Sequence, residues 1–255
     1  MKVESEKYAK GCWASSLGDC GGGISREHYV SHSVFPDQSI FVQGLDWCLD
    51  KAKEIRIETL TAKILCKRHN TALSELDAAA GAAFNSIQSY VATTNQRQDM
   101  PHLNWAPKEL TIDGPKLERW CLKTLLNFSF NRQLIIGPGT HEPGTIPNEL
   151  VRIAFGLEEF THSRGLYTAF RDNETFDLQR GFGYTAKAQG QNLAMGNFRL
   201  YGFRFYLNLL PIENRYTAIE TSQVFYRQTH FAHRLGERFS HRLSIIWPVA
   251  TGRAA

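Results

Sequence analysis

Apolar residues recur along this chain with two periods, and the periods change in blocks. Ser74-Glu75-Leu76-Asp77 has the form of a capping box before an alanine-rich run, predicting a helix to about Thr93. Asp113-Gly114-Pro115 opens another, with proline near the first helical position and an apolar stripe of Leu117, Trp120, Cys121, Leu125 and Phe128. Leu45, Cys48, Leu49 and Ala52 share that spacing, so a short helix is expected over residues 43–56. A Gly/Pro loop over 137–147 leads to a helix with Leu150, Ile153, Ala154 and Leu157 inward.

Elsewhere the period is two. Residues 24–34 read as a short strand entering a polar loop, and Ile55, Ile57, Thr59 and Thr61 share one face of a strand over 55–65. Over 198–210, Tyr201, Phe203, Phe205, Leu207 and Leu209 alternate with a mixed face that includes Arg204 and Asn208, which is the pattern of a sheet core. Residues 244–249 read as a closing strand. Residues 96–115 hold three prolines and few periodic apolar positions, so the boundary between two units is expected there. The expected fold class is α+β: an N-terminal unit over 1–100 and a separate α+β unit over 106–255, in which two helices precede an antiparallel sheet.

Composition narrows the function classes. With 42% hydrophobic and 21% charged residues, the chain has the make-up of a globular protein, not a disordered one. No apolar run reaches the roughly 18 residues of a membrane span, so no membrane partner is expected. The segment MKVESEKYAK alternates charges without an apolar core, so no secretory signal is expected and the reducing cytoplasm is the expected compartment. Five cysteines cannot all pair internally, which leaves core residues, metal ligands or nucleophiles.

The net charge of +4 is unevenly divided. Residues 1–105 carry 11 Lys and Arg against 12 Asp and Glu, whereas residues 106–255 carry 18 against 13, and 14 of those 18 are Arg. Arginine pairs bidentately with phosphate, so this bias is compatible with an anionic partner as well as with a solvated face. Arg227, Arg234, Arg238 and Arg242 are the candidates for a nucleic-acid backbone contact, a solvated helix face being the alternative.

The chemistry-bearing residues lie in the first unit. Cys66 and His69, three apart, can reach one ion from a tight turn, and zinc accepts both donor types. Cys12 and Cys20, beside Gly21-Gly22-Gly23, are the upstream candidates for the other two ligands, although their spacing is wider than a usual knuckle. Cys48 and Cys121 fall on expected apolar helix faces and are read as core. Between the half-sites stands Glu27-His28. Adjacent side chains at a strand end point in different directions, so one can bind a divalent ion while the other takes a proton from water. Histidine, with an unperturbed pKa of about 6.5, suits the second role. His32 is a competing base, ranked lower because it does not follow the acid.

Taken together, Cys20, Glu27-His28 and Cys66-x-x-His69-Asn70 followed by Leu73-Ser74-x-Leu76-Asp77 resemble the HNH endonuclease superfamily and its ββα-metal motif. The resemblance covers roughly residues 11–76. It implies that Glu27 and Asn70 are ligands of a catalytic Mg²⁺ or Mn²⁺ and that His28 is the general base. It also implies a structural zinc held by Cys12, Cys20, Cys66 and His69. The implied reaction is metal-dependent phosphodiester hydrolysis, in DNA rather than RNA, and a restriction or anti-phage role would suit it. The second unit is expected to bind nucleic acid, recognise a ligand or partner, or mediate homodimerisation.

The chain departs from the superfamily pattern in three ways. His69 stands where cysteine is commoner, the interval from His28 to Cys66 is long, and no asparagine occupies the middle position that orients the histidine. Thr59, Thr61 or a backbone carbonyl are the candidates for that last role. The rival reading is a non-catalytic, zinc-stabilised protein that binds nucleic acid or serves as a sensor or interaction module.

Overall fold

The computed structural model describes residues 11–31, 39–43, 48–161, 163–170, 182–210, 223–235 and 238–248. Strands Ile24–His28 (β1), Ser39–Gln43 (β2), Lys53–Arg56 (β3) and Thr61–Cys66 (β4) come first, followed by helices Lys67–Ala72 (α1) and Ser74–Asp99 (α2). Next are Lys108–Asp113 (β5), helix Gly114–Ser129 (α3), the short strand Ile135–Ile136 (β6) and helix Asn148–Ala154 (α4). The later elements are strands: Gly165–Phe170 (β7), Phe182–Gln189 (β8), Asn192–Leu200 (β9), Phe203–Asn208 (β10), Gln223–Tyr226 (β11), His230–Leu235 (β12) and Arg238–Ile246 (β13). The architecture is mixed α+β with mostly antiparallel sheets. No helix among the described residues is long and apolar enough to cross a membrane.

Three sheets form. β1 pairs antiparallel with β4, from Ile24 opposite Cys66 to His28 opposite Thr61, with a bulge between Ser25 and Glu27. The largest sheet runs β11-β7-β10-β9-β8-β2-β3, with β6 also paired to β9; the third runs β12-β13-β5. Strand pairing crosses the boundary expected near residue 100, because β2 lies parallel to β8 and carries β3 on its far side. β2 reaches across because Ile40 and Val42, one face of a short alternating strand, are fully buried. One hydrophobic cluster accordingly joins Leu65, Phe84 and Ile87 with Trp120, Leu125, Phe198 and Phe205.

Several local expectations are corrected. No helix spans 43–56: Gln43 ends β2, Lys53–Arg56 is a strand, Leu49 is 62% exposed, and Leu45 lies outside the described residues. Pairing of Ile55 opposite Ile40 outweighs a helical spacing that would bury little. The strand over 55–65 is broken by a 3-10 turn at Ile57–Thr59, which buries Ile57 and leaves Thr59 exposed. The segment 198–210 is a hairpin. Tyr201 and Gly202 have φ of 46° and 96°, the left-handed pair that a two-residue turn between antiparallel strands requires. Leu157 is 55% exposed, because α4 stops at Ala154 and Gly156 turns the chain away. Ser74 does not cap α2: its hydroxyl donates to the Thr71 carbonyl, and Leu73 is the cap residue.

Helix α3 behaves as its stripe predicts, with the Asp113 carboxylate accepting from the Lys116 N–H as the N-cap. It is buried on nearly every side, and polar groups sit on one of its faces at i, i+3 and i+7. The Trp120 indole donates to Ser31 (3.3 Å), the Lys123 ammonium meets Glu27 and Asp77, and Asn127 bridges the N-terminal segment. Asn127 Oδ1 accepts from the Trp13 indole at 3.0 Å, and its Nδ2 donates to the His28 carbonyl at 3.3 Å. Tyr29 stacks on Phe128 beside this seam, with ring centroids 5.0 Å apart. Truncation Asn127→Ala removes the acceptor of the buried Trp13 indole N–H and the amide that donates to the His28 carbonyl. It should lower unfolding free energy by about 1–3 kcal/mol in urea titration at unchanged m-value, and a loss under about 0.5 kcal/mol would show that the seam does not hold β1.

Candidate metal centre and the adjoining carboxylate site

Cys66 closes β4 and caps α1, its sulfur accepting from the His69 N–H at 3.4 Å. That cap puts residue 66 and the first helical turn on one side, which is why a C-x-x-H spacing brings both donors together. The glycine loop wraps this turn. The Lys67 and Arg68 N–H groups donate to the Gly23 and Gly21 carbonyls, and the Gly21 N–H points at Cys66 Sγ at 3.5 Å. Gly22 has φ 75°, and a Cβ there would sit 3.0 Å from Lys67 Cβ, so the loop can pass only as glycine. Cys12 is anchored by its neighbour Trp13, whose N–H donates to the Ile64 carbonyl.

The three thiols and the imidazole converge, their donor atoms all within 4.8 Å of one another. Cys12 Sγ lies 3.3 Å and Cys20 Sγ 3.7 Å from His69 Nδ1. Donors around a tetrahedral zinc stand about 3.5–3.8 Å apart, given bonds of about 2.3 Å to sulfur and 2.0–2.1 Å to nitrogen. The set therefore fits a zinc ion in size and in donor chemistry. On its other side, His69 Nε2 lies 2.6 Å from Asp19, which also pairs with Arg68 at 3.0 Å. A carboxylate there holds the proton on Nε2 and presents Nδ1 as a lone pair. Phe155 packs edge-on against the ring, and Trp13 packs edge-on against Phe155 in turn.

Ionisation of the ligands is set by these contacts. Burial raises the Cys12 thiol, and burial together with the neighbouring sulfurs raises Cys20. Burial also opposes ionisation of Cys66, but the N–H groups of His69 and Gly21 outweigh it and lower that thiol. The hydrogen bond from His69 lowers Asp19. Two thiols that burial keeps from ionising, beside one whose ionisation the surrounding N–H groups ease, are suited to a bound dication. Cys48 and Cys121 are buried away from this cluster, as core residues.

Glu27, His28 and Asn70 fare differently. The last two residues of β1 are Glu27 and His28, while the Asn70 amide donates to Ser25 Oγ at 3.2 Å, near the other end of the strand. Glu27 is 6% exposed, and its Oε1 lies 2.8 Å from Lys123 Nζ. Burial raises its carboxyl, and Lys123 pulls in the opposite direction. Lys123 also donates to both Asp77 oxygens, at 2.9 and 2.8 Å, and Ser31 donates to Asp77. Glu27 is thus committed to an ammonium, and a divalent ion does not fit between these groups as they stand. Among the described residues, Cys12, Cys20, Cys66 and His69 make the single cluster of three or more Cys, His, Asp or Glu donors. His28 is half-buried, with Thr61 opposite on β4; Thr59 instead donates to the Arg56 carbonyl. His32 lies outside the described residues.

The candidate arginines lie on or just before the β12–β13 hairpin, not on a helix. Arg227 pairs with the buried Glu118 at 2.7 Å and stacks on Tyr226 and Trp247, a structural role. Arg242 is exposed, and the side chains of Arg234 and Arg238 lie outside those described. The sequence pattern assigned Asp19 and Lys123 no place in the site, and Asp77 only one in the run after Asn70. The signal for Lys123 was available: it is the one charged residue in the second half of α3 (residues 121–129), one turn from Trp120 and Asn127. No protein family, no curated protein and no solved structure matches this chain.

The cluster should bind one zinc per chain when the protein is prepared without chelator, measured by elemental analysis. Cys66→Ser should abolish retention and much of the cooperative fold. Asp19→Asn should keep the metal but weaken it by about 10–100-fold in competition with a chelator, whereas unchanged affinity would show that Asp19 does not orient His69.

Proposed function

We propose that this protein is a zinc-stabilised, HNH-like protein that hydrolyses phosphodiester bonds in nucleic acid, with DNA as its substrate. The observation that carries the reading is the Cys12/Cys20/Cys66/His69 cluster at the junction of β4 and α1. It ties the β1–β4 pair to α1, the helix that carries Asn70, while Glu27-His28 close the far end of β1. With four protein donors such a zinc has no open position, so its part is to hold the fold and not to activate water. His28, at the end of β1 and half-buried, is the group to take the proton from an attacking water; its carbonyl is held by Asn127.

A specific observation favours the second reading, a non-catalytic zinc-stabilised binding or interaction protein. Glu27, the acid that the hydrolase reading needs, is buried and ion-paired with Lys123. Incubating supercoiled plasmid, single-stranded DNA and RNA with the zinc-loaded protein and Mg²⁺ or Mn²⁺ separates the two. With metal at several millimolar, enough to compete with the Lys123 ammonium, cleavage is expected for wild type and should fall about 100-fold or more in His28→Ala with zinc content unchanged. Binding without cutting by both proteins would overturn the hydrolase reading.

A further inference from the structure

Lys123 is 2% exposed on a helix that otherwise packs into the core. Its ammonium joins Glu27 from β1 and Asp77 from the first turn of α2, at 2.8–2.9 Å. Asp77 is braced by the Ser31 hydroxyl, which in turn accepts from the Trp120 indole. Two carboxylates around one ammonium leave one negative charge uncompensated, where a divalent ion would neutralise both. Lysine is a compact point charge on a tether, so it stands in for a small cation as the planar fork of arginine cannot.

We propose that Lys123 is the resident cation of this site and a lock upon it: its ammonium takes the place of a divalent ion between Glu27 and Asp77. The inference rests on the hydrolase reading only in naming the site; the competition between ammonium and ion stands apart from it. Seating of the Lys123 ammonium and binding of Mg²⁺ or Mn²⁺ by Glu27 are then mutually exclusive. Withdrawal of Lys123 leaves two carboxylates and the Ser31 hydroxyl, hard oxygen donors that suit such an ion.

The test is Mn²⁺ titration of the zinc-loaded full chain, followed by electron paramagnetic resonance. Wild type should show no Glu27-dependent Mn²⁺ binding below about 1 mM, and Lys123→Met should gain one site at least about tenfold tighter. The added site should vanish in Lys123→Met/Glu27→Gln. A folded Lys123→Met without the gain would overturn the lock, as would wild-type binding that is equally tight and sensitive to Glu27→Gln. If Lys123→Met is too unstable to titrate, its thermal midpoint should rise with Mn²⁺ and not with NaCl of equal ionic strength; no rise also overturns the lock. Cleavage assays run alongside keep the two readings apart. Gained binding with no cleavage by any variant leaves the lock and removes the hydrolase. Cleavage with the same Mn²⁺ dependence in wild type and Lys123→Met removes the lock and leaves the hydrolase.

Discussion

An ammonium buried inside a protein must be paired, because an uncompensated charge there costs several kcal/mol. Lys123 meets that requirement by drawing Glu27 from β1 and Asp77 from α2 onto one face of α3. Trp120 and Asn127 extend the same face along the helix. Ordinary apolar packing would hold α3 in the core in many rotations. This polar seam admits one, since any other would strand several buried donors and acceptors. The residues nearest the candidate chemistry are thereby fixed by a helix that lies beyond the expected unit boundary.

The metal cluster works by the opposite logic. Its candidate ligands come from three segments, Cys12 and Cys20 from irregular chain and Cys66 and His69 from the junction of β4 and α1, and the donor set suits one shared ion. Backbone N–H groups aimed at Cys66 and the Asp19 carboxylate on His69 show that the surroundings are shaped for charged ligands as well as for packing. With a metal bound, such a centre would substitute for the core that residues 11–31 are too short to build alone. It would also lock the β1–β4 pair to α1, while α3 holds β1 from the other side.

Much of this was legible in the sequence, and the reasons differ by residue. The stripe Leu117 to Phe128 marked α3 because 3.6-residue periodicity survives any tertiary context that buries one face. Cys66-x-x-His69 marked the metal half-site because the spacing alone brings both donors around a tight turn. The helix expected over 43–56 failed because Lys53–Arg56 pair with β2 as a strand and residues 48–52 form the irregular approach to it. The expected single strand over 198–210 failed because an alternating pattern passes unchanged through a two-residue turn. Only the backbone at Tyr201-Gly202 shows the reversal.

By itself, then, the sequence determined which side chains can bind a metal and where the strongest helix lies, since donor spacing and hydrophobic period are local properties. Only the tertiary structure decided the state of Glu27. The sequence places a carboxylate beside His28, but Lys123 stands 96 positions further on, and no local pattern says that the two will meet. A charge pair of that separation exists only once α3 has packed against β1. The same packing that makes the ion pair strong, by excluding water, withholds the carboxylate from any other cation.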